Sequence, residues 1–407
     1  MPSLIVFAPL TVAVFVWGVP DDMGPLGVLV LAVLTVKLLL ALCYLPVRRE
    51  EGTGPDGEVV VIVPVYNEDP ETLRRCLLSV LGQRRPPASV VVVDDGSADT
   101  AAVEVAETFG DVRVLRQVGN RGKREALASA IRACPESEVY VTVDSDTVLA
   151  PDALGELLKP FADGRVMAVT GVVLAANAEV NVLTRLTDLR YAAAFLYERA
   201  ACSALGSVLC CCGSLAAYRG RVVRANLGDF LTQRFLGRPA LVGDDRRLTG
   251  YCLLEGRVVL QSTARAETLV PQRLAHYLRQ QARWNRALLR ESLWILRVFP
   301  RRRPLVWTLA LVELVSWVLS TLALVCMPFM YVVPAPGQYL VLLVLFCYLR
   351  TAGHPTVRPH RTLTFALAPL YGAAHLALLL PIRLYTLFTM RRPGWDTRQR
   401  IEVALES

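Results

Sequence analysis

The apolar residues of this chain are crowded towards its two ends, and that unevenness limits what it can fold into. Hydrophobic residues make up 54% of the 407. Residues 3–19 and 25–45 are nearly unbroken apolar stretches, residues 56–300 carry an ordinary charged surface, and the chain turns apolar again after Pro304. About 20 apolar residues suffice to cross a bilayer. The N-terminus lacks the basic leader of a signal peptide and a second apolar stretch follows almost at once, so we read two true spans joined by a turn at Pro20-Asp21-Asp22. Arg48 and Arg49 come next, and the positive-inside tendency places the middle of the chain in the cytosol. The expected organisation is two transmembrane helices (1–48), a cytosolic domain (56–270), amphipathic interface helices (271–303), a transmembrane or re-entrant region (304–390) and a cytosolic tail (391–407). That is a multi-pass plasma-membrane protein.

The net charge of +8 owes much to runs such as Arg301-Arg302-Arg303 and Arg391-Arg392 beside apolar segments, where they meet anionic lipid. No basic stripe with interleaved aromatics is present, which argues against nucleic-acid binding. The ten cysteines show no paired metal-type spacing, and a cytosolic domain keeps thiols reduced.

Within the middle region, Val59 to Val65 is a continuous β-branched run, the pattern of a strand buried on both faces. Helical periodicity follows from Pro70 to Gly82, then a second buried run from Ser89 to Val93 ends at Asp94-Asp95-Gly96. A helix over 98–109, a strand over 112–115, a helix over 122–132 and a strand over 138–143 complete a βαβα pattern. It predicts a doubly wound α/β fold with a mostly parallel sheet, whose ligands bind at the carboxyl ends of the strands.

Those ends carry acid clusters. In Asp94-Asp95 one carboxylate can accept from a uracil N–H and the other from ribose hydroxyls, or the pair can cap a helix with Ser97 or Asp99. Asp144-Ser145-Asp146 follows a buried strand and can reach a Mg²⁺ or Mn²⁺ that also holds two phosphates, since hard cations take oxygen ligands. Gly119 to Arg124 is a basic turn opening a helix, and its N–H groups and Lys123 suit a diphosphate; it also reads as a plain surface turn. Gly243-Asp244-Asp245-Arg246 offers a general base in Asp245, with Arg246 orienting the loop, or else a helix cap. Further on, an amphipathic helix from about 272 to 298 places Gln280, Arg283 and Trp284 on one face. Trp284 is a platform for a pyranose ring, or a core tryptophan.

Taken in order, these motifs resemble family 2 glycosyltransferases, a group with the GT-A fold, and Gln280-x-x-Arg283-Trp284 resembles the signature of its processive members. Gly122-Lys123-Arg124, Asp144 to Thr147, Gly243 to Thr249, Pro369 to Gly372 and Trp395-Asp396-Thr397-Arg398 are similar to the hyaluronan synthases within that family. The resemblance implies that Tyr66 and Asp95 contact uridine with help from Asp94, and that Lys123 meets the diphosphate. It puts Asp144 near the donor, Asp146 on the metal, Asp245 in the role of base, and Gln280, Arg283 and Trp284 at the mouth of a channel. It makes Trp395, Thr397 and Arg398 a gate over the donor. Cys211-Cys212-Gly213-Ser214 resembles the family's Cys-Ser-Gly-Pro loop beside the donor sugar. Three positions depart from the family pattern: Asp396 stands for glycine, Cys212 for serine and Ser214 for proline.

The implied activity is processive, inverting polymerisation of hyaluronan from UDP-GlcNAc and UDP-GlcA. The partners are UDP-sugars, the growing polysaccharide and the bilayer, with no obligatory protein partner. The alternatives are a chitin-type synthase using UDP-GlcNAc alone, transfer of one sugar to a lipid carrier, and a membrane scaffold or exporter with a relic sugar domain. For residues 362–390, basic residues on both sides place both ends in the cytosol. About 29 residues are too few for two spans, so a kinked re-entrant or interfacial segment is expected. Arg383 within it is expected to face a polysaccharide channel.

Overall fold

The computed structural model describes residues 25–50, 54–326 and 336–392. The expected first span and the gate residues Trp395, Thr397 and Arg398 lie outside the described residues.

An apolar helix, α1 (Pro25–Cys43), precedes the α/β domain. That domain is built on an eight-stranded sheet in the order β3-β2-β1-β4-β7-β6-β8-β5. Its strands are β1 (Val59–Val65), β2 (Ser89–Asp94), β3 (Val112–Arg116), β4 (Val139–Thr142), β5 (Thr147–Leu149), β6 (Val166–Ala175), β7 (Ala216–Arg219) and β8 (Arg257–Thr268). β3, β2, β1 and β4 are mutually parallel, as the buried runs of β1 and β2 and the alternation of strand and helix predict. β7 then enters antiparallel between β4 and β6, and β5 closes the far edge antiparallel to β8. Parallel pairings still outnumber antiparallel ones. The antiparallel insertion has no sequence signal, because a four-residue strand carries too little periodicity to read.

Local chemistry sets the helices. Asp69 caps α2 (Pro70–Leu81) by accepting from Thr72 N at 2.8 Å, with Pro70 where its missing N–H costs nothing. Helix α3 (Lys123–Ala133) opens at the basic turn. Helix α4 (Val182–Ala193) is closed at its start by a capping box between Asn181 and Thr184 and runs into a π-helical turn over Ala194–Arg199. Helix α5 (Asp244–Glu255) begins at the acid pair, and α6 (Leu274–Val298) is the long amphipathic helix.

Behind the site, α5 and α6 are joined by a buried ion pair, Arg247 Nε to Glu291 at 2.8 Å, while Gln233 Nε2 donates to the other oxygen of Glu291 at 2.5 Å. Arg247 also stacks on Trp294, 3.9 Å from the ring centre. Removing one partner of such a pair strands a buried charge, at a cost of about 3–5 kcal/mol. Glu291→Ala is therefore expected to lower the unfolding temperature of the purified protein in detergent. An unchanged temperature would show that Arg247 is satisfied elsewhere.

The C-terminal helices are α7 (Pro304–Cys326), α8 (Pro336–Thr351) and α9 (Ala368–Phe388). Among the described residues, Pro304–Leu322 and Ala368–Phe388 are long and apolar enough to cross a membrane. Where a re-entrant segment is expected, α9 is a single helix that continues through Pro381. Arg383 turns from it towards α7, donating to Ser320 Oγ at 2.6 Å and lying over Trp317. Thr321 Oγ1, at 3.3 Å, adds a second hydroxyl beside the guanidinium.

Candidate active site

A cleft of about 700 Å³ opens at the carboxyl ends of β1, β2 and β4, a volume suited to a small-molecule substrate. It brings together Tyr66, Asp95, Lys123, Asp144, Asp146, Asp245, Arg246, Gln280, Arg283 and Trp284 from six separate segments.

Two loops form the nucleotide end. Asp95 accepts from the backbone N–H groups of Arg121 (2.8 Å) and Gly122 (2.9 Å), so this carboxylate shapes the basic turn. Burial raises its pKa. Gly96, at φ +72°, lets the loops meet: a Cβ there would sit 2.3 Å from the Gly119 backbone. Asp94 differs from its expected role. It is buried, accepts from Ser97 N at 2.9 Å within its own loop and does not line the cleft; nor does it cap a helix, since the next one begins only at Ala101.

In the next loop the two aspartates have different surroundings. Asp144 is paired with Lys123 and accepts from Ser214 Oγ at 2.6 Å. Asp146 accepts from Thr268 Oγ1 at 3.0 Å, at the end of β8. Between them, Ser145 donates to Glu68 at 2.6 Å. Glu68 was legible only as part of the Tyr66-Asn67-Glu68 loop, with nothing to mark it as the brace of the acid motif. Among the described residues no group of three or more His, Cys, Asp and Glu side chains is placed to hold a metal. A single oriented carboxylate nonetheless fits a magnesium-type ion, which binds through one or two carboxylates plus substrate phosphates and water. Asp146 is the residue that would hold it.

Lys123 is the central cation. Burial opposes its charge, but Asp144, Asp244 (3.8 Å) and Asp245 outweigh that and its pKa is raised. It therefore stays protonated and is available to an arriving diphosphate.

Asp245 sits on the first turn of α5, after Gly243 at φ +89°. A Cβ at Gly243 would crowd Ala287 of α6 at 3.0 Å, so the glycine also sets how closely the two helices pack. Asp245 Oδ1 accepts from Arg246 N at 2.7 Å. Burial and then the neighbouring Asp244 raise its pKa, against the pull of Lys123 and Arg246. A raised carboxylate is suited to general-base work. Arg246, expected to orient the loop, lines the cleft with its guanidinium engaged in two bonds to Glu313 of α7, at 2.9 and 3.1 Å. It ties the acid loop to an apolar helix.

Trp284 faces the cleft with Tyr191 at 6.3 Å between ring centres and Arg190 5.5 Å from its ring, and Arg190 donates to Tyr277 at 3.3 Å. Both α4 residues lacked a motif and were missed. Cys211 also differs from expectation. It is fully buried, its N–H donates to Thr249 Oγ1 at 2.9 Å, and burial pushes its thiol up to about 12. Its neighbours Cys210, Cys212, Gly213 and Ser214 line the cleft instead.

A cleft at the strand ends, lined by an oriented Asp-x-Asp and a buried carboxylate, is the arrangement of a glycosyltransferase of the GT-A type. Residues 60–227 match the model for glycosyl transferase family 2. The chain is 39% identical over 395 residues to a hyaluronan synthase of Streptococcus pyogenes, covering 94% of this chain and 92% of the relative. It is 36% identical over 359 residues to an N-acetylglucosaminyltransferase of Mesorhizobium japonicum, covering 85% and 84%. Among solved structures, a mannosyltransferase from Pyrobaculum calidifontis in complex with GDP-Man and Mn²⁺ shares the fold, with a TM-score of 0.55 and 22% identity over 92% of this chain and 99% of that one. The protein is an enzyme and belongs to glycosyltransferase family 2.

Proposed function

We propose that this chain is a processive, inverting β-glycosyltransferase that polymerises hyaluronan from UDP-GlcNAc and UDP-GlcA and passes it across the plasma membrane. The observation that carries this reading is the likeness to a hyaluronan synthase over 94% of the chain. Asp245 takes the proton from the acceptor hydroxyl as its oxygen attacks the anomeric carbon. The bond from that carbon to the UDP oxygen breaks, and UDP leaves with the electron pair. Lys123 stabilises the leaving diphosphate, and Mg²⁺ or Mn²⁺ held by Asp146 supplies further neutralising charge when bound. Tyr66 and Asp95 lie where the uridine enters. Gln280, Arg283 and Trp284 hold the acceptor on α6, which packs against α7 and α9. Trp395, Thr397 and Arg398 close over the donor. The catalytic domain is cytosolic, with α1, α7 and α9 in the bilayer.

A second reading, a synthase using UDP-GlcNAc alone, is favoured by the likeness to an N-acetylglucosaminyltransferase. UDP release by purified enzyme in nanodiscs decides between them. Sustained turnover is expected only with both donors, giving a product that hyaluronidase degrades. Sustained turnover with UDP-GlcNAc alone would overturn the hyaluronan reading.

A further inference from the structure

The loop over residues 210–214 is wedged between the two acid clusters. At its end, Ser214 Oγ donates to Asp144 Oδ2. At its start, Cys210 Sγ lies 3.4 Å from Asp245 Oδ2 and donates to it. Between them, a Cβ on Gly213 would sit 3.1 Å from Lys123 Nζ and 4.0 Å from Asp245 Cβ.

The backbone here has little freedom. Arg199 Nε donates to the Cys210 carbonyl at 2.9 Å, Cys211 N to Thr249 Oγ1 at 2.9 Å, and Cys212 N to Thr170 Oγ1 at 3.1 Å. The Cys210 side chain is therefore presented to the base by a fixed frame. Burial and the adjacent Asp245 carboxylate push its thiol far above the ordinary range. It is thus an S–H donor and not a thiolate.

We propose that Cys210 is a positioning residue for the transfer reaction: its thiol holds Asp245 Oδ2 and sets the pH at which the base is available. The proposal rests on the reading of Asp245 as base and not on which sugars are joined. A thiol is a weak donor. It can fix the carboxylate before substrate arrives and still yield Oδ2 to a sugar hydroxyl, which bonds more strongly. Oδ1 is already committed to Arg246 N.

The other groups around Asp245 divide by charge. Asp244 raises its pKa; Lys123 of α3 and Arg246 of α5 lower it. Arg199, from the π-helical turn, faces the same carboxylate. Tyr218 of β7, like Cys211 and Cys212, is held neutral by burial. Cys210 is the side chain that donates a hydrogen bond to Oδ2 among the described residues.

The test is kcat against pH for the full chain in nanodiscs, with whichever donor mixture turns over. Cys210→Ala removes a donor to the charged form, so the Asp245 pKa rises. The acid limb is then expected to move up by about half to one pH unit, with the loss confined to the acid side. Cys210→Ser restores a donor that bonds carboxylates more strongly, and is expected to bring the limb back to or below its original position. Equal losses at every pH in both variants would reduce Cys210 to packing and overturn the proposal, as would profiles superimposed on the parent's. An infrared difference spectrum of the parent against Cys210→Ser gives a second readout. The S–H stretch it isolates must lie below that of an unbonded thiol, and a band at the unbonded position overturns the proposal. Full turnover by Asp245→Asn would instead remove the base assignment beneath it, a distinguishable failure.

Discussion

Asp245→Asn is expected to lower the rate of UDP release and polymer formation by about a hundredfold or more, the range for losing a general base. The amide keeps the shape of the carboxylate and can still accept from Arg246 N, so the fold and the binding of UDP-sugar are expected to survive. The loss therefore falls on kcat. The acid limb of the parent enzyme supplies a second check. Burial and Asp244 raise the Asp245 pKa above its ordinary value of 3.8. The base must be unprotonated to act, so activity falls as pH drops through that raised value and returns above it. A variant that still polymerises at the parent rate would remove Asp245 from the role of base and leave the buried acid without a catalytic reason.

The second large effect is expected at Asp146. A metal on a leaving diphosphate is worth several kcal/mol of charge stabilisation, and each 1.36 kcal/mol is about tenfold in rate. Asp146→Asn is therefore expected to lose roughly a hundredfold or more in kcat/KM, with the concentration of Mn²⁺ or Mg²⁺ needed for half-maximal activity shifted upward. The asparagine oxygen can still accept from Thr268, so thermal stability is expected to hold. Parent enzyme that turns over fully in excess chelator would sink the assignment of Asp146 to a metal.

Between them these two acids illustrate how far residue types alone reach. Asp146 and Asp245 were legible because each follows a recognisable local pattern: a buried strand ending in Asp-x-Asp, and a glycine that opens a helix. The paired aspartates Asp94 and Asp95 were legible as a strand-end turn, but not in their division of labour. One caps its own loop, and the other holds the N–H groups of a turn 26 and 27 residues away. The partner that holds Arg246, Glu313, is 67 residues distant and carries no local signal.

The first four strands were legible in the chain, two of them as β-branched runs buried on both faces, and so was the long helix carrying Gln280, Arg283 and Trp284, because apolar residues there recur at helical spacing; β5 to β8 were not. The sequence by itself also placed the acid clusters at strand ends, since those positions follow from the order of elements. Tertiary structure alone decided which of three adjacent cysteines meets the base, that Glu68 braces Ser145, that Arg190 and Tyr191 back Trp284, and that β7 enters the sheet antiparallel. The physical reason is range. Backbone periodicity acts over a few residues and is written locally, whereas a hydrogen bond or ion pair joins segments far apart in the chain and exists only once packing has brought them within 3 or 4 Å of each other.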